Sequence, residues 1–170
     1  PDMTKDTHST NGNDIDERLD VLIVGAGISG ISSAYYLRRD CPELRFAILD
    51  AHETYGGTWL IHRYPGARSD SDLFTFGYQF KPWTGAPIAT REQILSYLGD
   101  VIDENNLAPH IRYGHRIVSA SWSGNERCWL VEAVRNDTGT RVRIAANFLW
   151  MCQGYYENAQ GYTPQWAGME

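Results

Sequence analysis

An α/β fold with a parallel sheet at its centre is what this sequence predicts, and three observations carry the prediction. The stretch "LDVLIVGAGISGISSAYYLRRD" passes from a short apolar run, through glycines, into helical spacing. A second short apolar run, "LRFAILD", follows directly. Period-two alternation begins only after Ile111, so antiparallel strands are confined to the later part of the chain.

Each element has its own reason. Val21–Val24, with Leu19 before them, form a β-branched run ended by glycine, as expected of a strand buried on both faces. From Ile28 to Arg39 the residues Ile31, Ala34, Tyr35 and Leu37 fall toward one side of a helix. Arg38 and Arg39 suit the negative end of its dipole. Leu44 to Asp50 is the next strand, which completes a right-handed βαβ unit. Thr90 and Gln93 spell a capping box. Ile94, Leu98, Val101 and Ile102 then make the apolar stripe of a helix over Arg91–Glu104, closed by Asn105-Asn106.

Beyond Ile111, "IRYGHRIVSASW", "RCWLVEAV" and "TRVRIAA" read as three strands of an antiparallel meander, an excursion from the parallel sheet. "NFLWMCQG" (Asn147 to Gly154) reads as a separate short strand that returns to that sheet. Trp122, Trp129 and Trp150 alternate with apolar residues and are expected in the core. Residues 1–18 are polar and aperiodic and are expected to be a disordered tail. The ordered domain then runs over 19–154, and 155–170 reads as a connecting segment.

Composition narrows the function. At 170 residues the chain is most simply one domain. A net charge of −6 without a basic stripe argues against nucleic acid or an anionic membrane surface as partner. Cys41, Cys128 and Cys152 are odd in number and widely spaced, which fits neither a disulfide scaffold nor structural zinc and suits a reducing cytoplasm. No apolar run is long enough for a membrane span. His52, His62, His110 and His115 show no metal spacing and read as surface or loop residues, so no metal site is expected.

Gly25-Ala26-Gly27-Ile28-Ser29-Gly30 is a GxGxxG placed between a predicted strand and a predicted helix. In that context Gly25 permits the turn, Gly27 lets backbone approach a pyrophosphate, and Gly30 allows close helix–strand packing. Free amides at the helix start favour the phosphates. Asp50 ends the second strand about twenty residues on, where an acidic side chain can hold a ribose. Gly56-Gly57-Thr58-Trp59 then offers bare backbone, a hydroxyl and a flat ring beside a long cofactor, which points to FAD before NAD. The same residues also fit an ordinary turn with Trp59 in the core.

The GxGxxG, Asp50, "GGTW" and "RYPGARSDSD", with "FKPWTG" and "FLWMCQGYY", resemble the N-terminal FAD-binding segment of class B flavoprotein monooxygenases. Within that class the chain is most similar to Baeyer–Villiger monooxygenases of the branch that oxidises ketones and thioamide prodrugs. The similarity runs from Leu19 to Gly168, with one departure, Asp50, where these enzymes more often carry Glu. It implies a Rossmann-like FAD-binding domain, FAD and NADPH as cofactors, and O2 with a small ketone or sulfur compound as substrates. In such enzymes NADPH reduces the flavin, and a C4a-peroxyflavin oxygenates the substrate.

The resemblance also implies residue roles. Gly25, Gly27, Ser29 and Gly30 would line the pyrophosphate and Asp50 the adenosine ribose. Thr58, Trp59, Leu60 and Ile61 would run beside the flavin. Asp70 and Tyr78 match residues near the flavin and its ribityl chain, and Val118 a position whose backbone meets adenine. Arg68, Ser69 and Asp70 match the place where NADPH reaches the flavin, and Asp70 could steady an arginine near the peroxide. Read from the residues alone, Ser69 to Asp72 also suit a helix cap before "LFTFGYQF". Asp70 is expected to be the functional one, with Ser71 or Asp72 capping.

The resembled enzymes use a second dinucleotide fold for NADPH and a later arginine, whereas this sequence carries one GxGxxG. The fold is therefore expected to be incomplete without a following NADPH domain, supplied by a C-terminal portion or a second chain, and inactive as this chain alone. The rival reading is a non-catalytic FAD-binding fragment or subunit. A flavin-dependent N-hydroxylase or reductase stands third, and the "RYPGARSD" run argues against it.

Overall fold

The computed structural model describes residues 14–156 and 160–169. Most of the expected tail, residues 1–13, lies outside the described residues. The first strand, β1 (Glu17–Val24), begins inside the stretch assigned to the tail. Its polar start is drawn into the sheet by pairing: Asp16 N donates to Arg143 O at 2.9 Å and Arg143 N to the Asp16 carboxylate at 2.8 Å.

After β1 come α1 (Ile28–Asp40), β2 (Phe46–Leu49), two short helices α2 (Thr58–Ile61) and α3 (Leu73–Phe76), and α4 (Arg91–Glu104). Then follow β3 (Ile111–Arg112), β4 (His115–Ser123), β5 (Cys128–Arg135) and β6 (Arg141–Met151). The six strands form one sheet in the order β3-β2-β1-β6-β5-β4. β1 runs parallel to β2 and β6, and β2 parallel to β3, while β4, β5 and β6 are antiparallel. The capping box on α4 forms as its sequence requires: the Thr90 hydroxyl accepts from Gln93 N, and Gln93 Oε1 accepts from Thr90 N. Among the described residues, no helix is long and apolar enough to cross a membrane.

Two expectations about the strands are corrected. "IRYGHRIVSASW" is two strands, broken at Gly114, which takes a φ of 63°. β3 pairs with β2, and β4 lies at the opposite end of the sheet order. Conversely "TRVRIAA" and "NFLWMCQG" are one continuous strand, β6. Asn147, which reads as a break, stays extended because its side chain donates to Asp20 Oδ1 across the ladder.

β6 is the hinge of the architecture. Arg141 to Ala146 pair with β5, and Ile144 to Met151 pair with β1. Asp20 N and Val21 N both donate to Arg45 O, a bulge that bends β1 and, with it, its partner β6. The meander thereby folds back over the parallel strands. One face of β1 and β2 (Val21, Ile23, Phe46, Ile48) packs on α1 and α4 through Ile31, Ala34, Ile94, Leu98 and Val101. The other face (Leu22, Ala47, Leu49) packs on Val131, Ala133, Ile144 and Ala146 of the meander. So the second layer that a doubly wound sheet would take from helices comes here from β-strands.

Among the described residues, β6 past Ala146 has no strand partner on its β5 side. There Phe148 is 55% exposed and Trp150 37%, their rings edge to face. Trp122 is 53% exposed and meets the half-buried Trp129 edge to face across β4 and β5. The expectation of core is thus corrected for Trp122 and Trp150, while Trp129 packs against the second core cluster: alternation gives the side of the sheet, and the sides of Trp122 and Trp150 lie beyond the covering layer.

Glu17 and Arg112 tie the start of β1 to β3 through two hydrogen bonds, at 2.5 and 2.9 Å. The bond from Arg112 is the main reason the Glu17 carboxyl lies below the usual glutamate range. A carboxylate held low stabilises the fold above its ordinary range, and the effect fades as pH falls through the lowered value. Arg112→Met should therefore lower stability at pH 7 by about 1 kcal/mol, since both side chains are about a third exposed. Urea melts of the variant against the parent should converge as pH falls through that lowered value, where the Glu17 carboxyl takes up its proton and the pair is lost.

Candidate functional site

The site is built where β1 ends. Gly25 N donates to Leu49 O at 2.8 Å, so the first glycine is held in register with the end of β2. Gly25 has a φ of 102°, and a Cβ there would lie 2.7 Å from Cys152 O, the residue that follows β6. A Cβ on Gly30 would fall on the Gly25 carbonyl oxygen. Gly25 and Gly30 are thus glycines for reasons internal to the fold. Gly27 is different: its φ is −82°, and a Cβ would meet only the Gly57 backbone, with Gly57 Cα at 3.5 Å, ordinary contact. The fold itself does not demand glycine there.

Helix α1 starts at Ile28 with no side-chain cap and no acidic residue in its first turn. Among the described residues no side chain accepts from its first amides, and the dipole there favours an anion. Asp50 stands beside them, only 7% exposed. Its Oδ2 accepts from Ala26 N at 2.7 Å, and its Oδ1 accepts from His52 N at 2.8 Å. The His52 imidazole Nδ1 also lies 2.9 Å from Oδ1. The acidic residue therefore binds the glycine loop directly.

The second glycine pair seats on the first. Gly56 N donates to Ala26 O at 3.0 Å, and a Cβ on Gly57 would lie 3.1 Å from Gly27 Cα. Gly56 and Gly57 have φ of 129° and 54°, and a Cβ on Gly56 would strike Leu95 of α4 at 2.5 Å. Their glycine requirement follows from this packing as well as from any ligand. In α2, Thr58 is exposed, Trp59 and Ile61 are half-buried and Leu60 is buried. The Trp59 ring meets Phe76 edge-on and packs against the helical core, as the turn reading of this stretch allowed.

Further along, Asp72 caps α3 by accepting from Thr75 N at 2.9 Å. Asp70 is exposed, and among the described residues its carboxylate takes one weak bond, from Ser71 Oγ at 3.4 Å. Ser69 is buried and tied twice to Ala89, through its own N–H and through its hydroxyl. Arg68 forms an isolated bridge with Thr90, and its side chain is exposed. Tyr78 is buried, and its hydroxyl donates to Ile28 O at 2.6 Å. Burial pushes the Tyr78 phenol well above its ordinary range, so it stays a donor. Val118 sits at the irregularity in β4 between Ile117 and Ser119, where it has no partner in β5.

Gly25, Gly27, Ser29, Gly30 and Asp50 thus meet around one loop, joined by Gly57. Leu60, Ser69 and Tyr78 direct their side chains into the protein. Sequence reasoning passed over Ala26, whose backbone N–H and C=O make two of the bonds that shape the loop, and no side-chain pattern could have shown it. It also set His52 aside, although a histidine two positions past the strand-ending acid was a signal within reach. Burial raises the Cys152 thiol above its ordinary range, and its sulfur lies 3.7 Å from Ser33 Oγ, in keeping with a small packed residue.

Residues 23–85 match the NAD(P)-binding Rossmann-like domain family. Probable FAD-binding monooxygenase AlmA from Acinetobacter sp is 45% identical over 157 residues, 92% of this chain and 31% of that protein. FAD-containing monooxygenase EthA from Mycobacterium tuberculosis is 46% identical over 155 residues, 91% of this chain and 31% of that protein. Among solved structures, an oxidized steroid monooxygenase bound to NADP superposes with a TM-score of 0.74. It shares 32% identity over 89% of this chain and 29% of its own. Cyclohexanone monooxygenase from Rhodococcus sp. Phi1 bound to NADP+ gives a TM-score of 0.73 at 28% identity, covering 90% of this chain and 28% of its own. The chain spans about a third of the length of the curated relatives it matches. By sequence and by fold it is a Rossmann-like segment related to the FAD-containing monooxygenases, with Baeyer–Villiger monooxygenases as its structural neighbours.

Proposed function

We propose that the chain is the FAD-binding portion of an NADPH- and O2-dependent monooxygenase that oxygenates a small ketone or sulfur compound. The observation that carries this reading is the 46% identity to an FAD-containing monooxygenase over 91% of the chain. The residues present fit such a cofactor. Gly27 leaves the loop open, α1 starts without a cap, and Asp50 stands at the loop with an acceptor site to spare. Gly25, Gly27, Ser29 and Gly30 would hold the pyrophosphate and Asp50 the ribose. Thr58 to Ile61 would flank the flavin, and the backbone of Val118, unpaired in β5, would meet the adenine. When bound, the flavin supplies the redox and oxygen chemistry. The protein orients it and keeps water away.

Asp70 is the residue assigned to the reacting end, beside Arg68 and Ser69 where NADPH would approach. With capping done by Asp72, its carboxylate is left for an arginine partner from elsewhere in the complete protein. Asp70→Ala in that complete protein should leave FAD content unchanged. It should divert NADPH oxidation to hydrogen peroxide, with product yield down at least about tenfold. A variant that melts earlier but stays coupled would return Asp70 to a structural role. The odd number and wide spacing of Cys41, Cys128 and Cys152 support a cytoplasmic setting.

The rival reading, a fragment or subunit that binds FAD and catalyses nothing alone, is favoured by the uncovered flank of β6 at Phe148 and Trp150. That flank would be covered by a further portion of the protein or by a second chain. Heat release from the complete protein, followed by chromatography, tests the shared core of both readings: FAD is expected, and nicotinamide cofactor in its place would sink them.

A further inference from the structure

Resting on the reading of this loop as the FAD site, we infer that His52 completes recognition of the adenosine ribose. The reason is a count of lone pairs. A carboxylate oxygen accepts about two hydrogen bonds. Asp50 Oδ1 already takes two, from His52 N and from the His52 ring, and Oδ2 takes one, from Ala26 N. One acceptor site therefore remains on Asp50, whereas a ribose presents two hydroxyl donors side by side. The second hydroxyl needs another acceptor.

His52 supplies it. A carboxylate can only accept, so the bond to Oδ1 places a ring proton on Nδ1, and in the tautomer that carries this proton alone Nε2 is an acceptor. The side chain is 47% exposed, open to a ligand arriving from solvent. Its backbone is fixed from several sides. His52 O accepts from Gly114 N at 2.8 Å, and Ala51 O accepts from Asn136 Nδ2 at 2.7 Å. Asn136 also reaches Glu53 Oε1 at 3.1 Å. The ring is thus held beside the carboxylate before any ligand binds. One ribose hydroxyl donates to Asp50 Oδ2 and the other to His52 Nε2, so the short aspartate and the histidine together offer the two acceptors.

The test uses the complete protein freed of its flavin and saturated with NADP+, with ADP, 2′-deoxy-ADP and 3′-deoxy-ADP as probes, read by calorimetry, with circular dichroism to verify folding. The parent protein should bind ADP about fivefold more tightly than either deoxy analogue. His52→Phe should bind ADP about fivefold more weakly than the parent and should no longer distinguish ADP from one of the two analogues. A His52→Phe protein that keeps the parent's affinity and both discriminations overturns the inference and leaves the FAD reading standing. A parent protein that binds no ADP overturns both. Should His52→Phe fail to fold, the nitrogen NMR signal of Nε2 in the parent decides. A shift on adding ADP, absent with one deoxy analogue, supports the role, and an unmoved signal removes it.

Discussion

Gly27→Val is expected to give a folded chain that no longer holds FAD. A Cβ at Gly27 meets nothing closer than Gly57 Cα, at 3.5 Å, and the backbone φ is one that any residue adopts. The loss of stability should be about 1 kcal/mol, the usual effect of a poor residue at a helix N-cap. The cost falls on the cofactor, because the new methyl groups occupy the space through which pyrophosphate oxygens reach the amides of α1. Losing two or more charge-assisted bonds of about 1.5–3 kcal/mol each weakens FAD by at least a hundredfold. Gly30→Ala should do the reverse. Its Cβ falls on the Gly25 carbonyl oxygen, so helix and strand must separate, at about 3 kcal/mol. Melting temperature and flavin content measured on both variants separate the two roles. A Gly27→Val protein with a full complement of flavin would show that the cofactor does not pass this loop.

Asp50→Ala is expected to damage both stability and binding. Ala26 is fully buried, and its N–H donates to Asp50 Oδ2. Removing the carboxylate leaves that donor without a partner inside the protein, at about 1–3 kcal/mol, whereas the half-exposed His52 ring can turn to water. FAD affinity should fall by roughly ten- to a hundredfold as the ribose loses a charged acceptor. Asp50→Asn separates the contributions, since its amide oxygen can still accept from Ala26 N. It should recover part of the stability in a urea melt, because its NH2 group now faces the His52 N–H that Oδ1 accepted from, and little of the affinity. If Asp50→Asn melts as early as Asp50→Ala, the charge holds the loop, and the hydrogen bond alone does not.

The elements legible in the sequence were those whose cause is local. Thr90 and Gln93 announce α4 because the capping box lies within one turn, and the glycine spacing announces the loop because each glycine answers a nearby constraint. Gly114 was passed over because a single positive φ inside an alternating run leaves the alternation intact on both sides. The fusion of two expected strands into β6 was hidden for the opposite reason: Asn147 is kept in the strand by Asp20, a partner 127 residues away. Trp122 and Trp150 alternate like core residues, but only the three-dimensional extent of the meander decides where its cover ends. At the site, side-chain chemistry announced Asp50, while the bonds made by the Ala26 backbone left no mark on residue identity.

The pairing of β1 with β6 also dictates an order of assembly. β1 leaves the ribosome ahead of its neighbours β2, α1 and α4, which follow soon after. The strand beside it on the other flank is synthesised only after the whole meander. Until then Val21 to Val24 present a row of unpaired amides and carbonyls along an apolar ribbon, the kind of edge that recruits other chains. Contacts so distant along the chain slow folding, because loop closure precedes any gain from them. Interrupted translation products that end before Arg141 should therefore aggregate, whereas products that reach Met151 can close the sheet on themselves.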